Sequence, residues 1–152
     1  MNKKRFYRDL VTGKFANMVK ENTRGETIRT SKEVFNTMKP LMAAEPDVEQ
    51  FWVIFMDTKT KILDITKMFT GTIGNAAVYP REIVKKIIAT QATGIVCSHN
   101  HPSGDPAPSK EDVMITKLIS IATDVIGASM HDHVIVGANS DAGSLAGIQT
   151  RR

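Results

Sequence analysis

The run Ser98-His99-Asn100-His101-Pro102-Ser103-Gly104-Asp105-Pro106-Ala107-Pro108-Ser109-Lys110-Glu111-Asp112 gathers residue types that can bind a metal ion and use it. Two imidazoles stand two positions apart at the end of an apolar stretch, and residues i and i+2 of a strand project to the same side. His99 and His101 can therefore approach one cation together. Pro102, Pro106 and Pro108 restrict the loop beyond them, and Gly104 permits a turn in it. Asp112 falls in the first turn of a following helix, from which its carboxylate can swing back toward the histidines. Two nitrogens and one oxygen leave the fourth position of a zinc ion open to water, which separates a catalytic ion from a structural one.

Each residue also has a plainer use. A His-x-His pair arises readily by chance. Ser109-Lys110-Glu111-Asp112 fits the capping box of a helix start nearly as well as it fits a catalytic site. Cys97 shares strand parity with His99 and could ligate zinc, but a free cysteine behind the strand end reads as a small core residue. His131 and His133 form a second His-x-His without the further ligand a second ion would need. We read His133 as a structural or supporting residue and His131 as surface.

The elements that must position these side chains follow from apolar spacing. A strand is conceivable around Phe15–Val19, and Ser31 can cap a helix to about Ala44, with Val34, Met38, Leu41 and Met42 on one face. Phe51–Met56 is an apolar run suited to a strand buried on both faces, and a polar turn leads to a second strand, Ile62–Phe69. Gly71 and Gly74 punctuate the next connection. Pro80-Arg81-Glu82 starts a helix whose inner face is Ile83, Ile87, Ile88 and Ala92, and Gly94 stops it. Ile95–Ser98 is the short strand that delivers His99. Ser109 opens a helix to about Ile126, with Ile115, Leu118, Ile119, Ala122, Val125 and Ile126 as its apolar positions, and His133–Val136 is a last strand. Strands alternating with helices after residue 75 indicate an α/β layer fold, a mixed β-sheet flanked by helices with at least one parallel crossover.

Composition narrows the function classes. The 152 residues suit one domain, and no apolar run approaches the roughly 18 residues of a membrane span. The basic start has no apolar segment behind it, which argues against a signal peptide. A single cysteine excludes an internal disulfide framework and fits a cytoplasmic protein. Residues 1–40 hold ten Lys/Arg against four Asp/Glu (+6), and residues 41–152 hold ten against twelve (−2). The basic excess thus belongs to the front of the chain, where it can be a solvated terminus or a nucleic-acid contact; Lys3-Lys4-Arg5 has only Phe6 and Tyr7 beside it for base stacking.

His99-x-His101, seven residues, Ser109, two residues and Asp112 resembles the JAMM (MPN-plus) metalloprotease motif. The fuller His-Asn-His-Pro-Ser-Gly-Asp-Pro-x-Pro-Ser-x-x-Asp string resembles the RadC branch of that superfamily. So do Glu49-Gln50-Phe51, Met56-Asp57, Gly71-Thr72, Pro80-Arg81-Glu82 and Asp132-His133-Val134-Ile135-Val136-Gly137. The resemblance implies a JAMM/cytidine-deaminase-like fold, with residues 1–30 as a basic N-terminal extension and 31–152 as the RadC-like JAMM/MPN domain. It implies one Zn2+ held by His99, His101 and Asp112, Glu49 as the base beside it, and Ser109 as oxyanion donor. The chain lacks the Pro-Cys-x-x-Cys half of a zinc deaminase. On this resemblance the roughly 30 residues ahead of the domain are expected to be too few for the helix-hairpin-helix module of longer RadC proteins, and Ser144-Leu145 stands where the family places Ser and an aromatic.

The expected function is a zinc-dependent hydrolase acting on a protein or peptide substrate, cleaving peptide or isopeptide bonds. The alternatives are a DNA-associated repair factor with a structural or vestigial metal site, bound to nucleic acid through the basic front, and a domain that binds a protein tail without cleaving it.

Overall fold

A computed structural model of the chain describes residues 14–71, 78–138 and 142–145. Helices α1 (Lys14–Thr23) and α2 (Ser31–Met42) precede strands β1 (Gln50–Met56) and β2 (Ile62–Thr70). Then come α3 (Pro80–Thr90), β3 (Gly94–Asn100), α4 (Lys110–Val125), β4 (Ser129–Val136) and the short β5 (Ala142–Ser144). The sheet order is β2-β1-β3-β4-β5. β1 runs antiparallel to β2 and β3, β3 runs parallel to β4 across the α4 crossover, and β5 runs antiparallel to β4. This is the mixed α/β sheet the alternation of elements predicts.

Every residue of β1 and β3 is buried, so alternate side chains feed two separate cores. Trp52, Ile54 and Met56 of β1 and Val96 of β3 pack with Val34, Phe35, Met38 and Leu41 of α2. Phe51, Val53 and Phe55, with Ile95 and Cys97, pack with Ile83 and Ile87 of α3 and Ile119 of α4. Full burial of each large apolar side chain contributes about 1.5–3 kcal/mol. The period-two alternation also decides the site: His99 falls on the α3/α4 face, in step with Ile95 and Cys97.

Several expectations are corrected. The Phe15–Val19 segment is helical, within α1, and Val19 packs against the α2-side core; a short apolar run does not by itself distinguish strand from helix. The α2 cap is Thr30 rather than Ser31, because Thr30 Oγ1 accepts from Glu33 N at 3.1 Å while Glu33 Oε2 accepts from Arg29 N at 2.7 Å. Ser31 instead donates to Asp132 at 2.9 Å. α3 ends at Thr90, with Gln91 in the left-handed region (φ 59°), so Gly94 opens β3 instead of stopping the helix. A Cβ at Gly94 would strike the exposed His131 ring.

Ile88 is exposed, and so are Leu118, Val125 and Ile126 of the expected α4 core face. The inward stripe of α4 is Asp112, Thr116, Ile119, Ser120 and Thr123. Strand β5 carries an Ala-Gly-Ser sequence with no strand preference and is ordered by pairing with β4. Lys3-Lys4-Arg5, Gly74 and the final Gln149-Thr150-Arg151-Arg152 lie outside the described residues.

Candidate metal centre

β3 carries His99 to the end of the sheet, and His101 follows one residue beyond the strand. His101 is held by its own N–H donating to Val136 O at 3.0 Å and by its carbonyl accepting from Gly104 N at 2.9 Å. Gly104 adopts φ 87°, the turn that reverses the loop. The loop then lies against β4 and β5 so closely that a Cβ at Gly143 would collide with the Pro106 carbonyl. The proline loop is thus seated on glycine backbone, and it delivers Ser109 and Asp112 to the start of α4.

Four side chains meet there. His99 Nε2 lies 3.1 Å from Asp112 Oδ1, His101 Nε2 lies 3.0 Å from Asp112 Oδ2, and the two Nε2 atoms are 3.0 Å apart. Glu49, His99 and His101 each offer a ligand atom, all within 4.8 Å of one another. His99 is fully buried, Asp112 nearly so, while His101 and Glu49 are half-buried at the mouth. The expected ligand trio and the expected base therefore converge.

Glu49 is placed by backbone clamping. Asn100 Oδ1 accepts from Gln50 N at 2.7 Å, Asn100 Nδ2 donates to Val48 O at 3.0 Å, and Gly71 N donates to Glu49 O at 2.8 Å. The Gln50 side chain anchors the same segment, donating to Glu45 O at 2.8 Å and Met42 O at 3.2 Å and accepting from Trp52 Nε1 at 3.1 Å. Sequence reasoning missed Asn100 and Gln50. Asn100 sits between the two histidines, and strand parity sends it to the opposite face; that parity was the available signal.

Ser109 makes a full capping box. Its Oγ accepts from Asp112 N at 3.0 Å, and Asp112 Oδ2 accepts from Ser109 N at 2.9 Å. The cap uses the oxygen of the hydroxyl and leaves its proton uncommitted, so capping and oxyanion donation are chemically compatible. Behind His99, His133 Nε2 lies 2.7 Å from His99 Nδ1, and His133 Nδ1 lies 2.6 Å from Thr116 Oγ1. His133 is thus a buried supporting residue, as read from the sequence; Thr116, one turn beyond Asp112 on the same helix face, was missed. The Phe51 ring stacks on His99 and meets His133 edge-on. Cys97 is buried beside Met130, its Sγ 3.7 Å from the thioether sulfur and its thiol pKa pushed up by burial, as befits a core residue.

The electrostatics favour a cation. Hydrogen bonding to Asp112 raises the pKa of His101 against the opposing effect of burial, and Glu49 adds to the rise. Burial would raise the Asp112 carboxyl, but hydrogen bonds from His101 and His99, with the Ser109 N–H, hold it far below the usual carboxylate range. Burial pushes His133 well below the ordinary imidazole value, and His99 adds to that.

Proton positions test the fit to a metal. His101 Nδ1 lies 2.8 Å from the Asp105 carbonyl, which can only accept, so Nδ1 carries a proton, and once His101 gives up its second proton it turns an Nε2 lone pair inward. That lone pair faces an ionised carboxylate and another imidazole nitrogen. Metal–ligand bonds of about 2.0–2.1 Å in a tetrahedron imply ligand–ligand edges of about 3.3 Å. The observed separations of 3.0–3.1 Å are close to such edges. These residues could hold a metal ion.

Beside His101 lies a groove of about 290 Å³, with Met42, Ala43, Pro46, Pro102 and Val136 among its walls.

An acid-and-imidazole cluster at the end of a mixed sheet, half-open beside an apolar groove, has the makings of a metallohydrolase-like domain. The chain belongs to the RadC-like JAB domain family, whose pattern residues 28–150 match. Similar proteins include a "UPF0758 protein" of Desulforudis audaxviator, 37% identical over 113 residues, or 74% of this chain and 49% of that protein. UPF0758 proteins from two serotypes of Actinobacillus pleuropneumoniae are each 44% identical over 89 residues, 59% of this chain and 40% of theirs. The chain thus spans half or less of the length of these relatives. Among the described residues no helix is long and apolar enough to cross a membrane.

Proposed function

We propose that this domain is a zinc-dependent hydrolase of peptide or isopeptide bonds. The observation that carries the reading is the convergence of His99 Nε2 and His101 Nε2, 3.0 Å apart and each within 3.1 Å of one Asp112 oxygen, with the Glu49 carboxylate beside them. A borderline-soft ion with nitrogen and oxygen ligands and an open position suits zinc.

When bound, zinc would supply Lewis acidity and lower the pKa of the attacking water to about 7. His99, His101 and Asp112 would hold it. Glu49 takes a proton from the attacking water and later delivers it to the leaving amine, so that amide and water become carboxylate and amine. The Ser109 hydroxyl, whose oxygen serves the helix cap, would donate its proton in a hydrogen bond to the developing oxyanion. The apolar groove beside His101 suits a substrate side chain near the scissile bond.

Glu49→Gln tests this directly. The variant keeps its fold and bound zinc, but cleavage of a peptide library followed by mass spectrometry falls at least a hundredfold below wild type. Equal cleavage by both proteins overturns the role of Glu49, and zinc-loaded wild type with no cleavage of peptide or isopeptide libraries leaves the tail-binding reading in its place.

A DNA-associated role rests on the +6 charge of residues 1–40. It requires DNA binding that weakens steeply with salt and disappears when residues 1–30 are deleted. The single, buried Cys97 is in keeping with a reducing cytoplasm.

A further inference from the structure

We propose that Thr116 and His133 set the proton register of the metal centre, fixing His99 as its Nδ1–H tautomer so that its Nε2 lone pair faces the ion. The inference rests on the zinc-site reading for its consequence, although the tautomers can be read without any ion.

Thr116 Oγ1 lies 2.6 Å from the backbone oxygen of Asp112 and 2.6 Å from His133 Nδ1. Two oxygens at that separation need a proton between them, and a carbonyl has none to give. The single hydroxyl proton therefore goes to Asp112 O. Thr116 is left as an acceptor toward His133, so His133 Nδ1 must carry a proton. His133 is fully buried, with Phe51 edge-on to its ring, where the charged form is disfavoured. A neutral imidazole has one N–H, so His133 Nε2 is an acceptor. His99 Nδ1, 2.7 Å away, must then donate. In the neutral ring the remaining His99 nitrogen, Nε2, then carries the lone pair, and it lies 3.1 Å from Asp112 Oδ1.

The chain of bonds has one direction. It runs from the Asp112 carbonyl through Thr116 and His133 to His99 Nδ1, linking the backbone of one expected ligand to the ring of another. A ligating histidine usually donates its second N–H to a carboxylate, carbonyl or water. Here it donates to another imidazole, whose own direction depends on one hydroxyl. Thr116 and His133 are thus positioning residues that act through His99.

Long-range 1H–15N NMR of histidine-labelled protein reads the tautomers directly. In wild type, with and without zinc, His133 should be the Nδ1–H form; in the zinc-loaded protein His99 should carry its proton on Nδ1 and show a metal-shifted Nε2. Thr116→Val, which keeps shape and removes the hydroxyl, should abolish the single His133 tautomer and weaken zinc binding in chelator competition by about 10–100-fold. Thr116→Ser should restore both, which a role in packing alone would not achieve. An Nε2–H His133 in wild type, or Thr116→Val binding zinc as tightly as wild type, overturns the proposal. Expected tautomers in a wild-type protein that takes up no zinc support the register and reject the zinc reading.

Discussion

Ser109 shows how one side chain can hold two roles at the scale of a residue. Its oxygen caps α4 and its proton remains available. Ser109→Ala should lower stability by about 1 kcal/mol through the lost cap. It should also slow turnover by about 10²–10³-fold through the lost oxyanion donor. Ser109→Asn separates the two: an asparagine oxygen can still cap, so the melting temperature should recover while turnover stays low. Full activity in Ser109→Ala contradicts the donor role. At this scale the sequence was informative where chemistry follows spacing, as for His99, His101 and Asp112. Glu49 could be singled out only by family resemblance, because its location depends on Asn100 and Gly71, which are remote from it in the chain.

Helix α4 explains why element-level reading went partly astray. Its apolar residues suggest an inward face of Ile115, Leu118, Ile119, Ala122, Val125 and Ile126, yet the helix turns a largely polar stripe inward. Asp112 must reach the histidines, and Thr116, Ile119 and Thr123 share its face at helical spacing. The site's demand on one residue thus sets the rotation of the whole helix. Ile119→Ala should therefore cost about 2–5 kcal/mol. Val125→Lys, at a position 79% exposed, should change stability by no more than about 0.5 kcal/mol. Urea unfolding of the two variants checks the rotation; a large loss in Val125→Lys contradicts it. The α1 segment was misread because four or five apolar-leaning residues do not define a period, and β5 was not legible because its order comes from β4.

Another element-level link joins β2 to α3. Asp64 pairs with Lys86 at 3.2 Å and accepts from Thr66 at 2.8 Å. Burial would raise the Asp64 pKa, but the Thr66 and Lys86 interactions outweigh it and the net direction is downward. A folded value below the unfolded value of about 3.9 gives stability that is full above that pH and is lost as pH falls through the folded value. Lys86→Met should be less stable at pH 7 by no more than about 1 kcal/mol, the range of partly exposed pairs. The gap to wild type should narrow as the pH drops below 4. A gap that widens in acid reverses the assignment.

For the molecule as a whole, the α/β layering, the β1–β2 hairpin and the parallel β3–β4 crossover were legible, since each rests on runs long enough to show a period. The two cores on opposite faces of β1 and β3 hold the strand ends rigid. The proline loop, seated on Gly143, returns the chain to the same corner. Every donor of the centre is therefore carried by an element whose position the core fixes, or by the residue next to its end. The most direct test is the metal content of the purified, dialysed protein, measured by elemental mass spectrometry beside His99→Ala. Close to one zinc per wild-type chain, and almost none in the folded variant, is the predicted result. A well-folded wild-type protein that stays free of zinc after exposure to it contradicts the account.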